Sequence, residues 1–427
     1  MGRQRGPTAL TKSRGTGFEE YFADPPMTPD EAREEKNEIY NPNFPFDERI
    51  QVCIQRFRSR RRLAGTLTAF FNTYLFLGGV DSTPGAYNSI DPKALKEMTP
   101  AERREATAND IVHGVATGDA RFYDGNMGKW EVDFAGVAAG FFSTLQAKSL
   151  EASEMMEPIA LVENFLRYVL HHDVCPEFVK DVDQALQICD LARKEWPMIE
   201  RIQNSMPGRF NMAVSKASGV FRDGDWACSN PDQNTKLDLL AALALAEETD
   251  LFAKFFETPA ITKEAECSLE VCSIIRPGED LKDNFKRLAI DGKKVSIPPI
   301  GKAVFKPTTI EGPVYDLPRP FPFDKEDISI FLDDNILRDL KVGMKMTAVI
   351  CELAGDFYFP KRLCDIYPSF YIFLPQELML HFKEPCDQPR PAPSAKKSGA
   401  EGDATGENEE QRQPHGTMCS TEINTGH

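Results

Sequence analysis

The sequence lacks the short motifs that usually announce a catalytic or nucleotide site. It contains no GxGxxG, GxxxxGK[ST], GxSxG or HExxH, so dinucleotide, P-loop, esterase-elbow and zincin readings have no starting point. Histidine is scarce. Of six in 427 residues, only His113, His171, His172 and His381 precede the last 42 positions. Long apolar runs are missing too. Leu67–Val80 comes nearest, but Thr68, Asn72, Thr73 and two glycines break it, and a helical span needs ~18 consecutive apolar residues. Met1-Gly2-Arg3-Gln4-Arg5 leads into no apolar stretch, so no secretory leader is expected. The ten cysteines are irregularly spaced with no CxxC, which points to free thiols in a reducing compartment rather than a disulfide framework or zinc ribbon.

What is present is an acidic chain with ample core. Asp and Glu number 66 against 50 Lys and Arg, a formal net charge of −16, and apolar residues make up 41% with 29 phenylalanines. A polyanion is repelled by such a surface on average, so any nucleic-acid contact must be local or made through a partner. Residues 1–17 form a basic arm without acids or aromatics. Residues 386–427, rich in Pro, Gly, Glu and Ser, carry no aromatic. Neither can bury enough apolar surface to offset chain entropy, and both are expected to be disordered.

Between the tails the pattern predicts an α+β protein: a largely helical part, about 18–260, then a smaller β-rich part, about 261–385. Thr28-Pro29-Asp30-Glu31 and Thr99-Pro100-Ala101-Glu102 are capping boxes with proline at the first helical position. The first predicts a helix to about Tyr40. A second helix starts near Pro45, with Ile50, Ile54 and Phe57 on one face. Across Pro158–His172, Val162, Phe165, Leu166, Val169 and Leu170 fall at i, i+3, i+4, i+7 and i+8, a buried helical stripe. Val179, Val182, Leu186 and Cys189 predict a further helix ending near Pro197, and Thr235–Phe256 another. Beyond Ala260, β-branched and aromatic runs with Gly or Pro boundaries predict strands at Ser268–Ile275, Lys302–Phe305, Met344–Leu353, Phe357–Phe359 and Ser369–Leu374.

Four features could carry chemistry. His171-His172-Asp173-Val174-Cys175, with Cys189 beyond, holds metal-ligand types. Adjacent histidines diverge, however, and the spacing fits no common zinc module. Histidines against free carbonyls at a helix C-terminus, stopped by Pro176, fit better. Arg56, Arg58, Arg60, Arg61 and Arg62, five arginines in seven residues, are the densest positive charge. They can grip phosphates or pair with acids of this chain or a partner. No interleaved exposed aromatics mark a single-strand platform. Phe18, Tyr21 and Phe22 alternate with acids in Gly17–Pro26, a docking peptide or an arm packed on its own domain. Asp223-Gly224-Asp225-Trp226 reads as a turn. No catalytic residue, metal ligand or cofactor site is assigned.

Several blocks taken in order resemble the fungal Argonaute-binding protein family. They are Gly17–Pro29, Pro45–Arg58 running into Arg60-Arg61-Arg62-Leu63, Gly78–Asp81, Val132–Val137, Leu170–Glu177, Ile188–Ala192, Pro207–Ala213, Val342–Met346, Leu374–Met379 and Lys383–Pro385. Ala217–Pro322 matches only loosely. The resemblance implies a non-enzymatic subunit of an Argonaute siRNA chaperone complex, partnered by Argonaute and a second Argonaute-binding subunit. It implies siRNA met through Argonaute, restraint of passenger-strand release, support for RNA-directed heterochromatin formation, no membrane and no cofactor, in nucleus and cytoplasm. An enzyme with an unrecognised site near Asp223–Trp226 or His171–Cys175 is the alternative from another class, and a scaffold unconnected with RNA silencing is a third.

Overall fold

The structure, a computed structural model, describes residues 29–61, 63, 65–82, 111–112, 122, 132–146, 151–219, 233–246, 261–290, 293–294, 297–312, 321–323, 325–353 and 357–381. The expected tails, Thr28 and the capping box at Thr99 lie outside these residues. The architecture is α+β, helical first and strand-rich after.

Among the described residues of the first part, the chain forms α1 Pro29–Glu38, α2 Phe46–Arg60, α3 Thr66–Leu77, α4 Phe134–Gln146, α5 Met156–His171 and α6 Val179–Ser205. Short strands β1 Val80–Asp81 and β2 Ile111–Val112 pair antiparallel beside them. The predicted α5 stripe is the centre of this core. Val162, Phe165, Leu166 and Val169 are buried against Ile54 and Phe57 of α2, Phe71 and Tyr74 of α3, and Phe141 of α4. The rings meet mostly edge to face: Phe57 lies 5.3 Å from both Phe71 and Phe165, and Phe71 lies 5.2 Å from Phe165, a favoured geometry for aromatic clusters. The N-terminus of α4 is capped from α6, where Asp181 accepts hydrogen bonds from the Phe134 and Ala135 amides at 2.7 and 3.2 Å.

Helix α6 departs from expectation. Proline removes a backbone donor and clashes with the preceding turn, costing about 3 kcal/mol in a helix interior, so the sequence predicts an end near Pro197. The helix instead runs through Pro197 to Ser205. Packing on both sides of the proline accounts for this. Trp196 is buried in the helical core, while Ile199 and Ile202 enter the core of the β-rich part, and burying two isoleucines contributes more than the proline costs. One helix is thereby shared by both parts.

Helices α7 Arg209–Ala217 and α8 Gln233–Leu245 follow; the expected continuation of α8 toward Phe256 lies outside the described residues. Next come β3 Ile261–Ile275, α9 Glu279–Arg287, the hairpin β4 Ala289–Ile290 and β5 Lys293–Lys294, β6 Ile300–Pro307, β7 Ile328–Asp333, α10 Asp334–Asp339, β8 Lys345–Leu353 and β9 Phe357–Tyr367. Five of these strands close a barrel in the order β3-β6-β7-β9-β8. The long β3 pairs with both β6 and β8, only β7 and β9 run parallel, and α10 sits between the third and fourth barrel strands. This connectivity is that of an oligonucleotide/oligosaccharide-binding (OB) barrel. Inward residues alternate as a barrel requires: Leu269, Ala303, Ile330, Ala348 and Tyr358 are buried together, with Ile336, Leu337 and Leu340 of the α10 region.

Ser369–Leu374, expected as a strand, is not one. Its polar backbone is satisfied elsewhere: the Ser369 amide and hydroxyl donate to Glu195 of α6 at 2.8 and 2.7 Å, and Tyr371 N donates to Pro368 O. The segment returns to the helical core, where Phe370 stacks on Trp196 at 6.2 Å. A Cβ on Gly140 would lie 2.3 Å from Leu374, so α4 needs glycine at this contact.

Arg201 fastens α6 to α10 through both oxygens of Asp339, 2.9 Å each. Burial raises the Asp339 carboxyl, but hydrogen bonds from Arg201 and Arg338 outweigh it and hold it below the usual range. A depressed folded value means that this contribution is full above the unfolded value of about 3.9 and is lost as pH falls through the folded one. Asp339→Asn is expected to cost about 2 kcal/mol at neutral pH, with the gap from the parent narrowing at pH 3. Urea unfolding at both pH values checks this; a gap of constant size contradicts it.

Candidate functional site

The arginine cluster is placed by α2, whose spacing turns its basic residues toward three neighbouring helices. Arg56 pairs with Glu35 of α1 at 3.1 Å, and the same carboxylate meets His172 Nδ1 at 3.0 Å. Arg58 donates to Asn72 Oδ1 at 2.7 Å and Ser82 Oγ at 3.2 Å, with its guanidinium 4.8 Å from the Phe71 ring centre. Arg61 lies 4.4 Å from the Phe57 ring and 4.9 Å from Tyr168. These three guanidiniums therefore face α1, α3 and α5 of their own chain, where cation–π and charge-assisted contacts form. The Arg60 side chain, Arg62, and the arm residues Phe18, Tyr21 and Phe22 lie outside the described residues, as do Asp223–Trp226.

A fourth arginine, not singled out from sequence, is the most enclosed. Arg49 is 3% exposed. It donates to the carbonyls of Phe44 and Val174 and to the Glu177 carboxylate. It locks the start of α2 onto the α5–α6 connection.

The His171–Cys175 segment ends a helix. His171 closes α5 and His172 caps it, donating its amide to Tyr168 O at 3.1 Å. Asp173 adopts φ 51°, the left-handed turn common at helix ends. Cys175 and Cys189 are buried, and desolvation pushes both thiols up to about 12, away from the thiolate form that attacks substrates or binds metal. Among the described residues no group of three His, Cys, Asp or Glu side chains is set to hold a metal ion, no cysteine is paired, and no helix is long and apolar enough to cross a membrane.

An OB barrel presents ligand on the outer face of its second and third strands. Here Phe331, on the outside of the third strand β7, is buried, 6.0 Å from Phe210 of α7 and 6.1 Å from Phe357 of β9. The apolar faces of α7 and α8 cover this wall: Phe210, Val214, Leu239 and Leu243 share one buried cluster with Phe331 and Phe359. The exposed first strand β3 presents Glu264 and Glu266. A single-stranded polyanion needs exposed stacking rings beside cations; Lys263 and Lys302 are cations on these surfaces, but Phe331, the ring beneath Lys302, is buried.

Cations and apolar groups do meet at the α10 end of the barrel. A cavity of about 720 Å³ opens between α6, the end of β3 and the α10–β8 connection. Leu191, Met198 and Val342 give it apolar walls, and Lys194, Arg276, Arg338 and Lys341 bring four positive charges. Its one acid, Glu195, is engaged by Ser369. Gly301 supports the wall from behind, because a Cβ there would stand 2.4 Å from the Ile275 carbonyl oxygen. No sequence signal marked this groove. Its lining comes from segments nearly 180 residues apart, and none is unusual locally.

Comparison with known proteins locates the chain. Residues 8–385 match the model of the family described as Argonaute siRNA chaperone (ARC) complex subunit Arb1. The chain is also similar to Argonaute-binding protein 1 of Schizosaccharomyces pombe (strain 972 / ATCC 24843), 31% identical over 234 residues. That similarity covers 52% of this chain and 54% of the relative, about half the length of each. No solved structure matches. With the family model spanning the helical part and the barrel alike, the chain belongs to the Arb1 family of Argonaute siRNA chaperone complex subunits.

Proposed function

We propose that this chain is a non-catalytic adaptor that binds Argonaute carrying duplex siRNA, together with a second Argonaute-binding subunit. In this reading it restrains release of the passenger strand and supports RNA-directed heterochromatin formation, and it acts in both nucleus and cytoplasm. The observation that carries the reading is the family match over residues 8–385; the name of the fission-yeast relative agrees with it. Contact with siRNA is indirect, through Argonaute. That part is supported by the helix-covered barrel wall and by the inward-facing Arg56, Arg58 and Arg61.

A binding partner shifts an equilibrium only by its difference in affinity for the two states. Restraint of strand release therefore requires tighter binding to duplex-loaded than to single-strand-loaded Argonaute. The expected result is recovery of Argonaute with double-stranded small RNA on the tagged chain, and at least tenfold tighter binding to the duplex-loaded form, about 1.4 kcal/mol of coupling. Equal affinities for the two forms overturn the restraint, and absence of Argonaute from intact, monodisperse preparations overturns the adaptor reading.

A further inference from the structure

The groove at the α10 end of the barrel repeats one pattern on two sides. On α6, Lys194 lies one turn from Leu191, which is 37% exposed. On the α10–β8 connection, Lys341 adjoins Val342, which is 59% exposed. Each side thus offers an apolar side chain next to a cation, and Met198 lines the space with them. Arg276 and Arg338 are tied to Asp334 and Asp339, whereas Lys194 and Lys341 are exposed with no acid partner among the described residues.

The walls are fixed from behind. Arg201 ties α6 to α10 through Asp339, and the buried Glu195 holds Ser369 through its amide and hydroxyl. A site ordered in advance loses little entropy when it is filled.

The chemistry of the occupant follows from the lining. Apolar side chains held in water at one place favour an apolar anchor, and the thioether of Met198 adapts to anchors of different shape. The two ammonium groups beside them favour carboxylates. On a chain of net charge −16 most of the surface repels acids, so this positive site steers an acidic ligand to itself. Nucleic acid fits less well. Among the described residues no aromatic ring lines the groove, which leaves bases without a stacking partner, and phosphates make no use of the apolar walls.

We infer that the groove binds a short linear segment of a partner protein in which a bulky apolar side chain is flanked by Asp or Glu. The anchor rests on Leu191, Met198 and Val342, and the carboxylates on either side of it meet Lys194 and Lys341. Any protein carrying such a segment satisfies the groove, so its occupancy does not depend on the adaptor reading.

The test starts from a phage-displayed library of short random peptides selected on the full-length chain. The selected peptides are synthesised with a fluorescent label and titrated by anisotropy. The expected consensus places Leu, Met, Phe or Trp between acids. The double variant Lys194→Glu, Lys341→Glu is expected to weaken binding at least tenfold, and high salt to weaken binding to the parent. Leu191→Ser with Val342→Ser is expected to weaken it as much. Lys286→Glu with Lys306→Glu makes the same change of net charge at exposed side chains outside the groove and is expected to leave binding within twofold. Amide or alanine replacements in the peptide test the same contacts with the chain unaltered. Selection of no acidic consensus, or equal binding to the parent and the groove variants, overturns the inference. So does a labelled single-stranded RNA that loses binding in the lysine variant where the peptides do not, which would make the groove a phosphate site.

Discussion

Phe57→Ala is expected to lower the unfolding free energy by about 4 kcal/mol, the largest single-site loss in the helical part. Phe57 is fully buried and contacts three rings on two helices: Phe71 on α3, and Phe165 and Tyr168 on α5. Truncation removes the transfer energy of the ring and leaves a cavity, together about 3–5 kcal/mol. It also removes one of the two rings that face Arg61, a contact worth about 1 kcal/mol. Phe57→Leu keeps most of the volume and is expected to lose only about 1–2 kcal/mol. Urea midpoints at unchanged slope report both values. Since whole-protein stability is typically about 5–15 kcal/mol, the alanine variant approaches the unfolding threshold. Under the proposed adaptor function, Argonaute recovered from cells is then expected to track the abundance of the variant, with the leucine variant restoring both. A loss below about 1 kcal/mol for Phe57→Ala contradicts a core centred on this residue.

Phe57 was legible in the sequence because helical periodicity is local. The stripe Val162, Phe165, Leu166 and Val169 and the face Ile50, Ile54 and Phe57 each announce a buried side, and the structure packs them together. The start of α2 beside Pro45 and the end of α5 at His171 were equally local signals. What failed was non-local. Pro197 breaks a helix in isolation, and only the two cores on either side of it hold α6 together. Ile328–Asp333 reads Ile-Ser-Ile-Phe-Leu-Asp, apolar enough for a strand, yet the prolines at 313, 318, 320 and 322 just ahead of it give the region the local signature of a loop. The first half of β3, with Thr262, Lys263, Glu264 and Glu266, is too polar to stand out and pairs because β8 is beside it. Barrel closure and the parallel β7–β9 contact depend on pairings that no single segment encodes. The groove was illegible for the same reason.

The arginine cluster shows the limit for sites. Five arginines in seven residues say that charge is dense but not which way it points. The acids and rings that receive Arg56, Arg58 and Arg61 lie on α1, α3 and α5, so orientation became readable only once the helices were assembled. Assembly also gives the sequence blocks a physical relation. Pro45–Leu63 and Leu170–Glu177 are separate in the chain, and the structure joins them through Arg49, Val174 and Glu177.

That junction carries the second large effect. Arg49→Ala is expected to cost about 3 kcal/mol at neutral pH. It withdraws donors from the Phe44 and Val174 carbonyls and strips Glu177 of its counter-charge. Removing one member of a buried pair costs about 3–5 kcal/mol; the lower end applies because the Glu177 side chain is 40% exposed and water can solvate it afterwards. Burial raises the Glu177 carboxyl, but hydrogen bonding from Arg49 outweighs it and holds it below the usual glutamate range. A depressed folded value adds stability above the unfolded value of about 4.3 that is lost as pH falls through the folded one. The difference between parent and Arg49→Ala is therefore expected to shrink at pH 3 without vanishing, since the two carbonyls do not titrate. Arg49→Lys separates charge from geometry: a single ammonium cannot reach all three acceptors, so it is expected to recover less than half of the loss. Adding Glu177→Ala to Arg49→Ala removes the stranded carboxylate, and the double variant is expected to lose less than the two single losses added together. Strict additivity in that cycle would mean that Arg49 acts through the carbonyls alone, and that the joint between α2 and the α5–α6 connection rests on backbone acceptors rather than on the ion pair.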